Sequence, residues 1–445
     1  MAARRYDSMR LLANSLQQEL QRLEDLSFQT DVKDLVFDLL RKRLAGSPIR
    51  AFFVQQIYYY TREAMGKSAW NWNAAHHKQF SRQLPFVFEV IITIQYLHNQ
   101  ILDGKAGVTN QSQVAQNLLA GNFLKDLLYE YIEKYFPPKM AGVITCYARR
   151  AFKYVDFGQY IEKNWNTYEQ FQALDLSAEA PFPEEIEQFI QLDTAGPLVD
   201  KLHKELPLEK WAFTKLYLKR IYLTCAALFV LATELILELT NYQGPERNNL
   251  RHFSINYGLM RQLVNDNADF IPSTYNLATH SKQPTDAFCD LKNHNLTLPL
   301  IFYLSENDNT AIATFLQQQQ TQLTPQQEHT FFEALQSSYA LHKAIQNNKI
   351  LGELAISWLN PKLTASAFLT DSCEIVYWNK FLYPCLKTPH YKTYKKTAYY
   401  ARTKALIGQI RVHNQPQRKA SLSLLDMVNK LLLPNLEPAA CYFPK

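Results

Sequence analysis

Two apolar stretches of this chain carry polar clusters at helical spacing, and that combination narrows the folds open to it. His98–Lys105 reads HNQILDGK and follows the run VIITIQYL; Gln262–Phe270 reads QLVNDNADF and is followed at Asp290–Leu304 by DLKNHNLTLPLIFYL. Residues three and four apart share a helix face, so Asn99 and Asp103 point one way, as do Asn265, Asp266 and Asp269. Asp and Asn pairs at this spacing are common on solvated faces and need no metal. Embedded in apolar runs, they are expected to line an interior cavity, because a polar group buried without a partner is costly. Two oxygen-rich faces meeting there would suit Mg²⁺ bridging to a phosphate-bearing ligand.

The remaining composition points to a large helical protein. The chain has 445 residues, 47% of them hydrophobic, enough for a sizeable core in one large or two ordinary domains. Its 12 glycines are few for a fold built on tight hairpins, and neither GxGxxG nor GxxxxGK[ST] occurs, which disfavours nucleotide binding by those routes. An all-α fold is expected. The six cysteines are scattered, without CxxC or His-Cys clustering, and read as reduced core residues. The start, MAARRYDSMRLLANSLQQEL, leads into an amphipathic helix and not an apolar h-region, so a cytoplasmic protein is expected. A net charge of +6, from 47 basic and 41 acidic residues, does not by itself imply nucleic acid.

One segment tests that assignment. Ile221–Leu239, IYLTCAALFVLATELILEL, is nearly long enough to span a bilayer, but it contains Glu234 and Glu238. A buried helix of a large bundle accounts for it better.

Helical periodicity runs through Ser15–Arg43, broken near Gln29–Asp31, and continues through Phe52–Ala64, Phe80–Asp103 and Phe123–Tyr135. It resumes at about Leu208–Leu239, Leu250–Ala268, Leu298–Tyr303 and Glu328–Leu359. Pro137–Pro138 and the AEAPFP segment at Ala178–Pro183 break the pattern. The expected organisation is an N-terminal helical extension over 1–49, a core over 50–345, and a mostly helical C-terminal extension over 346–445.

At this point the residues resemble the trans-polyprenyl diphosphate synthases, within the class I isoprenoid synthase group that also holds terpene cyclases. That family reads E-x9-DDxxD at its first aspartate-rich motif, and here Glu89 stands ten residues before Asn99 in EVIITIQYLHNQILD. Asn99, Gln100 and Asp103 take the metal positions. VAQNLLAGNFLKDLL at Val114–Leu128 is similar to the family's A-x-x-x-GD-x-L helix, with Asn122 for Asp. GLMRQLVNDNADF is similar to the second motif and places Asn265, Asp266 and Asp269 at its metal positions, with Gln262 preceding. DLKNHNLTLPL looks like the family's DLREGKxTLPL, with Asn295 at a diphosphate-contacting Lys, and Lys282 is a match for the Lys just after the second motif. The resemblance covers roughly residues 50–345. It implies an orthogonal helical bundle around a deep apolar cavity, with both motifs at its mouth and about three Mg²⁺ holding an allylic prenyl diphosphate.

The departures from the family pattern matter as much. Two complete motifs offer six carboxylates; this chain offers Asp103, Asp266 and Asp269, so Mg²⁺ binding is expected to be weak or of reduced occupancy. Of the GKxxRP cluster only Gly66 and Lys67 match, only Lys105 stands for the arginines of the RRG loop, and the KT pair is reduced to Thr224. Arg supplies bidentate phosphate contacts that Asn and Trp cannot reproduce.

Three readings follow. The first is a diverged isoprenoid synthase that ionises an allylic prenyl diphosphate for cyclisation or prenyl transfer. The second is a noncatalytic regulatory subunit of an active synthase or a prenyl-lipid binder; the third is a chain-elongating synthase. The resemblance implies a homodimer, the second reading a heterodimer with an active synthase, and no nucleic acid partner is expected. The Tyr391–Arg402 segment, YKTYKKTAYYAR, reads as a solvated amphipathic helix covering the cavity mouth or touching an anionic membrane surface. His76–His77 reads as a surface pair, and His98 as a structural or phosphate-side hydrogen-bond donor. Ile94 and Gln95 fall where the family sets product length.

Overall fold

The computed structural model describes residues 2–27, 31–45, 48–66, 74–103, 111–173, 182–272, 287–307, 310–377, 383–386 and 388–412. Lys67, Lys105, Lys282 and Cys441 lie outside them. Fourteen principal helices carry the chain: α1 Ala2–Glu24, α2 Asp31–Ala45, α3 Ile49–Met65, α4 Leu84–Leu102, α5 Gln111–Tyr135, α6 Pro138–Asn164, α7 Leu208–Ile221, α8 Ala227–Leu239, α9 Glu246–Asp269, α10 Leu298–Glu306, α11 Pro325–Ser337, α12 Ala340–Ser357, α13 Thr364–Tyr377 and α14 Ala398–Val412. Among the described residues there is no strand, only an isolated bridge between Thr167 and Asn295. The protein is all-α, as its sparse glycine and helical periodicity require.

The centre of the bundle is α9, which packs along α12 on one side and α8 on the other, while α4 packs against α3 and α5. Residues 253–260 of α9 are buried without a break, so this helix is packed on every side. Eighteen-residue windows within Leu208–Leu239 are apolar enough to cross a membrane by composition, yet 83% of that window is buried inside the bundle. Its carboxylates are partnered: Glu234 lies 3.0 Å from Nε of Arg251, and Glu238 accepts from the Tyr147 hydroxyl at 2.7 Å.

Close helix approach depends on glycine, as Gly258 and Gly121 show. A Cβ on Gly258 would lie 2.4 Å from Cα of Ala226, so α9 and the π-helical turn at Tyr222–Ala226 meet backbone to backbone. A Cβ on Gly121 would lie 2.5 Å from Nε2 of His98. His98 therefore points at α5, away from the motif it precedes. It is a packing residue there, and burial holds its pKa below the usual range.

Three sequence expectations change. The helix expected over Glu328–Leu359 is two, divided where Tyr339 takes a left-handed φ of 63°. The Tyr391–Arg402 segment is not one helix but is divided between Pro389–Tyr394 and Ala398–Val412; its lysines are exposed, while Tyr394 and Tyr399 are buried, Tyr394 and Tyr391 pack on His342, and Arg402 forms a two-point ion pair with Glu205. His77 is tied into the fold, its Nδ1 2.9 Å from the Tyr58 hydroxyl. Alternating tyrosine and lysine on one turn let the rings face inward while the charged ends stay out.

Candidate functional site

Both polar clusters lie at helix ends. The first ends α4, with Asp103 as its C-cap, and the second ends α9 at Asp269. α6 crosses between them and touches each. Gln159, Glu162 and Lys163 share one of its faces, by three- and four-residue spacing. Gln159 donates its amide to Oδ1 of Asn99, and the Lys163 ammonium stands 3.6 Å from Oδ1 of Asp103. Glu162 turns to the other side, where Oε2 accepts from Arg220 at 2.6 Å and Oε1 accepts from Asn295 at 3.1 Å. Asn293 closes the junction, donating to the Asp103 carbonyl at 3.0 Å.

At the second motif the two aspartates have different jobs. Asp266 is 1% exposed, and both its oxygens are engaged: Oδ2 accepts from the Tyr217 hydroxyl at 2.7 Å and lies 3.6 Å from Nη2 of Arg220, while Oδ1 accepts from Gln262 at 2.6 Å. Asp269 caps the short helix Cys289–Lys292, its two oxygens accepting from the backbone N–H groups of Cys289 at 3.2 Å and Asp290 at 3.0 Å. Asn265, predicted to share their face, is exposed. Asp269, four residues on, is covered instead by the backbone of Cys289 and Asp290, which does not reach Asn265.

Four carboxylates crowd this end of α9: Glu162, Asp266, Asp269 and Asp290. Burial pushes Asp266 up to about 6 against the pull of Arg220, Tyr217 and Gln262. Burial, then Asp269, Asp266 and Glu162, push Asp290 well above the usual carboxylate range. Arg220 stays charged, since Glu162 and Asp266 outweigh the burial that opposes its charge.

A basic cluster lies on the other side of Cys225. Arg43 reaches within 3.8 Å of Glu89, which also accepts from the Ala51 backbone at 3.1 Å. Arg50 is pulled down to about 10, first by burial, then by the like charge of Arg261, with Arg43 adding to it and Glu89 opposing. Nε of Arg43, Arg50 and Arg261 is in each case buried without a hydrogen-bond partner. Arg50 also borders a cavity of about 10 Å³ with Phe53, Phe88, Leu228 and Phe229, room for roughly one water. On α4, Gln95, 4% exposed, keeps both amide atoms buried and unpartnered.

The other predicted residues are accounted for as follows. Gln100 is half-buried beside Asn99. The Thr224 hydroxyl donates to the Arg220 carbonyl one turn back, at 3.2 Å, so it serves its own helix. Glu162, Arg220, Tyr217 and Asp290 were missed at the second cluster, as were Arg43, Arg50 and Arg261 at the basic one. For Tyr217 and Arg220 a signal existed: at three-residue spacing they precede the long apolar run on one face.

Comparison with known proteins shows the family and the fold. The family model described as Polyprenyl synthetase matches residues 103–331. The chain belongs to the polyprenyl synthetase family. No curated protein matches it. A polyprenyl synthase from Caulobacter crescentus CB15, complexed with calcium and isoprenyl diphosphate, superposes with a TM-score of 0.58 at 19% identity, covering 83% of this chain and 97% of that one. The heptaprenyl diphosphate synthase of Staphylococcus aureus gives 0.56 at 17%, over 83% and 98%. The geranylgeranyl pyrophosphate synthase of Corynebacterium glutamicum, complexed with isoprenyl diphosphate and magnesium, gives 0.56 at 14%, over 83% and 98%. At these identities the likeness shows the isoprenoid synthase fold.

The residues of this polyprenyl synthetase family member do not fit, as they stand, the metal cluster that the motifs imply. Asn99, Asp266 and Asp269 have their oxygens taken by protein donors, and Asp103 faces Lys163. Among the described residues no three His, Cys, Asp or Glu side chains are grouped to hold a metal ion.

Proposed function

We propose that this chain acts on an allylic prenyl diphosphate whose head is met by the buried guanidinium groups around Glu89. One observation carries this reading: Arg261 and Arg43 both act on Arg50 beside the carboxylate of Glu89, and each of the three has a buried Nε lacking a partner. A diphosphate would bring the missing negative charge and acceptor oxygens in a geometry that guanidinium forks match. When the allylic C–O bond breaks, the electron pair leaves on the pyrophosphate oxygen, and fixed guanidinium charge stabilises it there. The allylic cation left behind would lose a proton after cyclisation, or be captured by an acceptor.

A second reading is a noncatalytic subunit of an active synthase or a prenyl-lipid binder. It is favoured by the engagement of both Asp266 oxygens and by the 10 Å³ left between Phe53, Phe88 and Phe229, too little for an isoprene unit without rearrangement.

The test is binding and pyrophosphate release with allylic diphosphates of several lengths, with Mg²⁺ and with chelator, and with isopentenyl diphosphate for the chain-elongating alternative. Release from the allylic substrate alone, lost in Arg50→Met, supports the first reading. Binding without release leaves the second. Neither binding nor release overturns the proposal.

A further inference from the structure

Arg220 stands at the second motif where a cation is called for. Its side chain is 3% exposed, Nη1 donates to Glu162 at 2.6 Å, and Nη2 lies 3.6 Å from Oδ2 of Asp266. Tyr217, one turn earlier on α7, donates to that same oxygen, so α7 delivers both the charge and a hydrogen bond to Asp266. Guanidinium cannot be deprotonated within proteins, so this positive charge is permanent. A divalent cation reaching Asp266 would have to break a buried ion pair and then sit beside a like charge in a low-dielectric site.

We infer that Arg220 is a built-in counter-ion that occupies the cation's place at the second motif and closes that motif to divalent metal. Asp269 adds to the closure, because its oxygens are spent on capping Cys289–Lys292. The inference goes beyond the reading above and holds whether or not a prenyl diphosphate is turned over. Removing the guanidinium would take from Asp266 the cation that faces it and open that carboxylate to a hard divalent ion.

The experiment is Mn²⁺ titration of the full chain at neutral pH, read by electron paramagnetic resonance of the free ion, with no substrate. The wild type is expected to show no saturable site up to millimolar Mn²⁺. Arg220→Met is expected to gain one, tighter by about tenfold or more, since ligand charge moves cation affinity by decades. Because a lone buried Glu162 charge could unfold that variant, Glu162→Gln/Arg220→Met removes the pair together and should gain the site as well. Adding Asp266→Asn to either should abolish it. A saturable site in the wild type that Asp266→Asn removes would overturn the inference, and so would folded Arg220→Met protein with wild-type affinity. Pyrophosphate assays are not needed for either outcome, so this result is separate from the fate of the functional reading.

Discussion

Lys163 holds its ammonium 3.6 Å from Oδ1 of Asp103, so the last carboxylate of the first motif faces a lysine from another helix. The two side chains keep 26% and 17% of their exposure. Part-exposed pairs of this kind contribute at most about 1 kcal/mol. Lys163→Met is therefore expected to move the urea midpoint only slightly. A loss above about 2 kcal/mol would contradict this weak, part-exposed pairing.

Arg220 sits at the opposite extreme. Breaking a buried ion pair by removing one partner typically costs about 3–5 kcal/mol, because the surviving charge stays desolvated. Arg220→Met should lose about that much in urea unfolding, and Glu162→Gln/Arg220→Met should recover a substantial part. If the double variant is as unstable as the single one, the stability lies in the packing of the arginine stem and not in the pair.

The second cluster also sets a pH dependence. Asp266 has a folded pKa raised to about 6, above the ordinary carboxylate value of 3.8. Between those values the folded state binds a proton that the unfolded state releases. This group's contribution therefore favours the folded state as pH falls from 7 towards 4, and is lost as pH rises through 6. Asp290, raised in the same direction, adds to it. Subtracting the stability-pH curve of Asp266→Asn from that of the wild type should show this rise on acidification; a difference that falls instead would contradict the raised value.

How much of this could be read from the residues alone varies by element. Apolar spacing located α4, α8 and α9 because burial of one stripe is written directly into periodicity. The order of both polar motifs placed them at helix ends and named the family. The split at Tyr339 was hidden, since a left-handed tyrosine has no local sequence mark and is held by its tertiary packing. Asp266 and Asp269 look interchangeable in the sequence, yet one receives a guanidinium from α7 and the other caps a turn twenty residues on. Those partners are long-range, so spacing within the motif carries no trace of them. Arg50 and Arg261 are 211 positions apart (261 − 50) and become a basic pair only when α3 and α9 pack together.

Gln95 offers the last expectation. Its amide nitrogen and oxygen are both buried without a partner, one turn below Asn99 in the apolar wall of α4. An unsatisfied buried polar group costs about 1–3 kcal/mol, whereas an apolar side chain of similar shape there loses no hydrogen bond. Gln95→Leu should stabilise the ligand-free protein by up to that amount in urea unfolding. If the amide instead serves a bound molecule, the same substitution should weaken binding of allylic diphosphates while raising stability. The two measurements together separate a ligand contact from a merely unfavourable core residue. Destabilisation by Gln95→Leu would show that water already satisfies the amide, and that this part of the wall is wetter than its apolar lining implies.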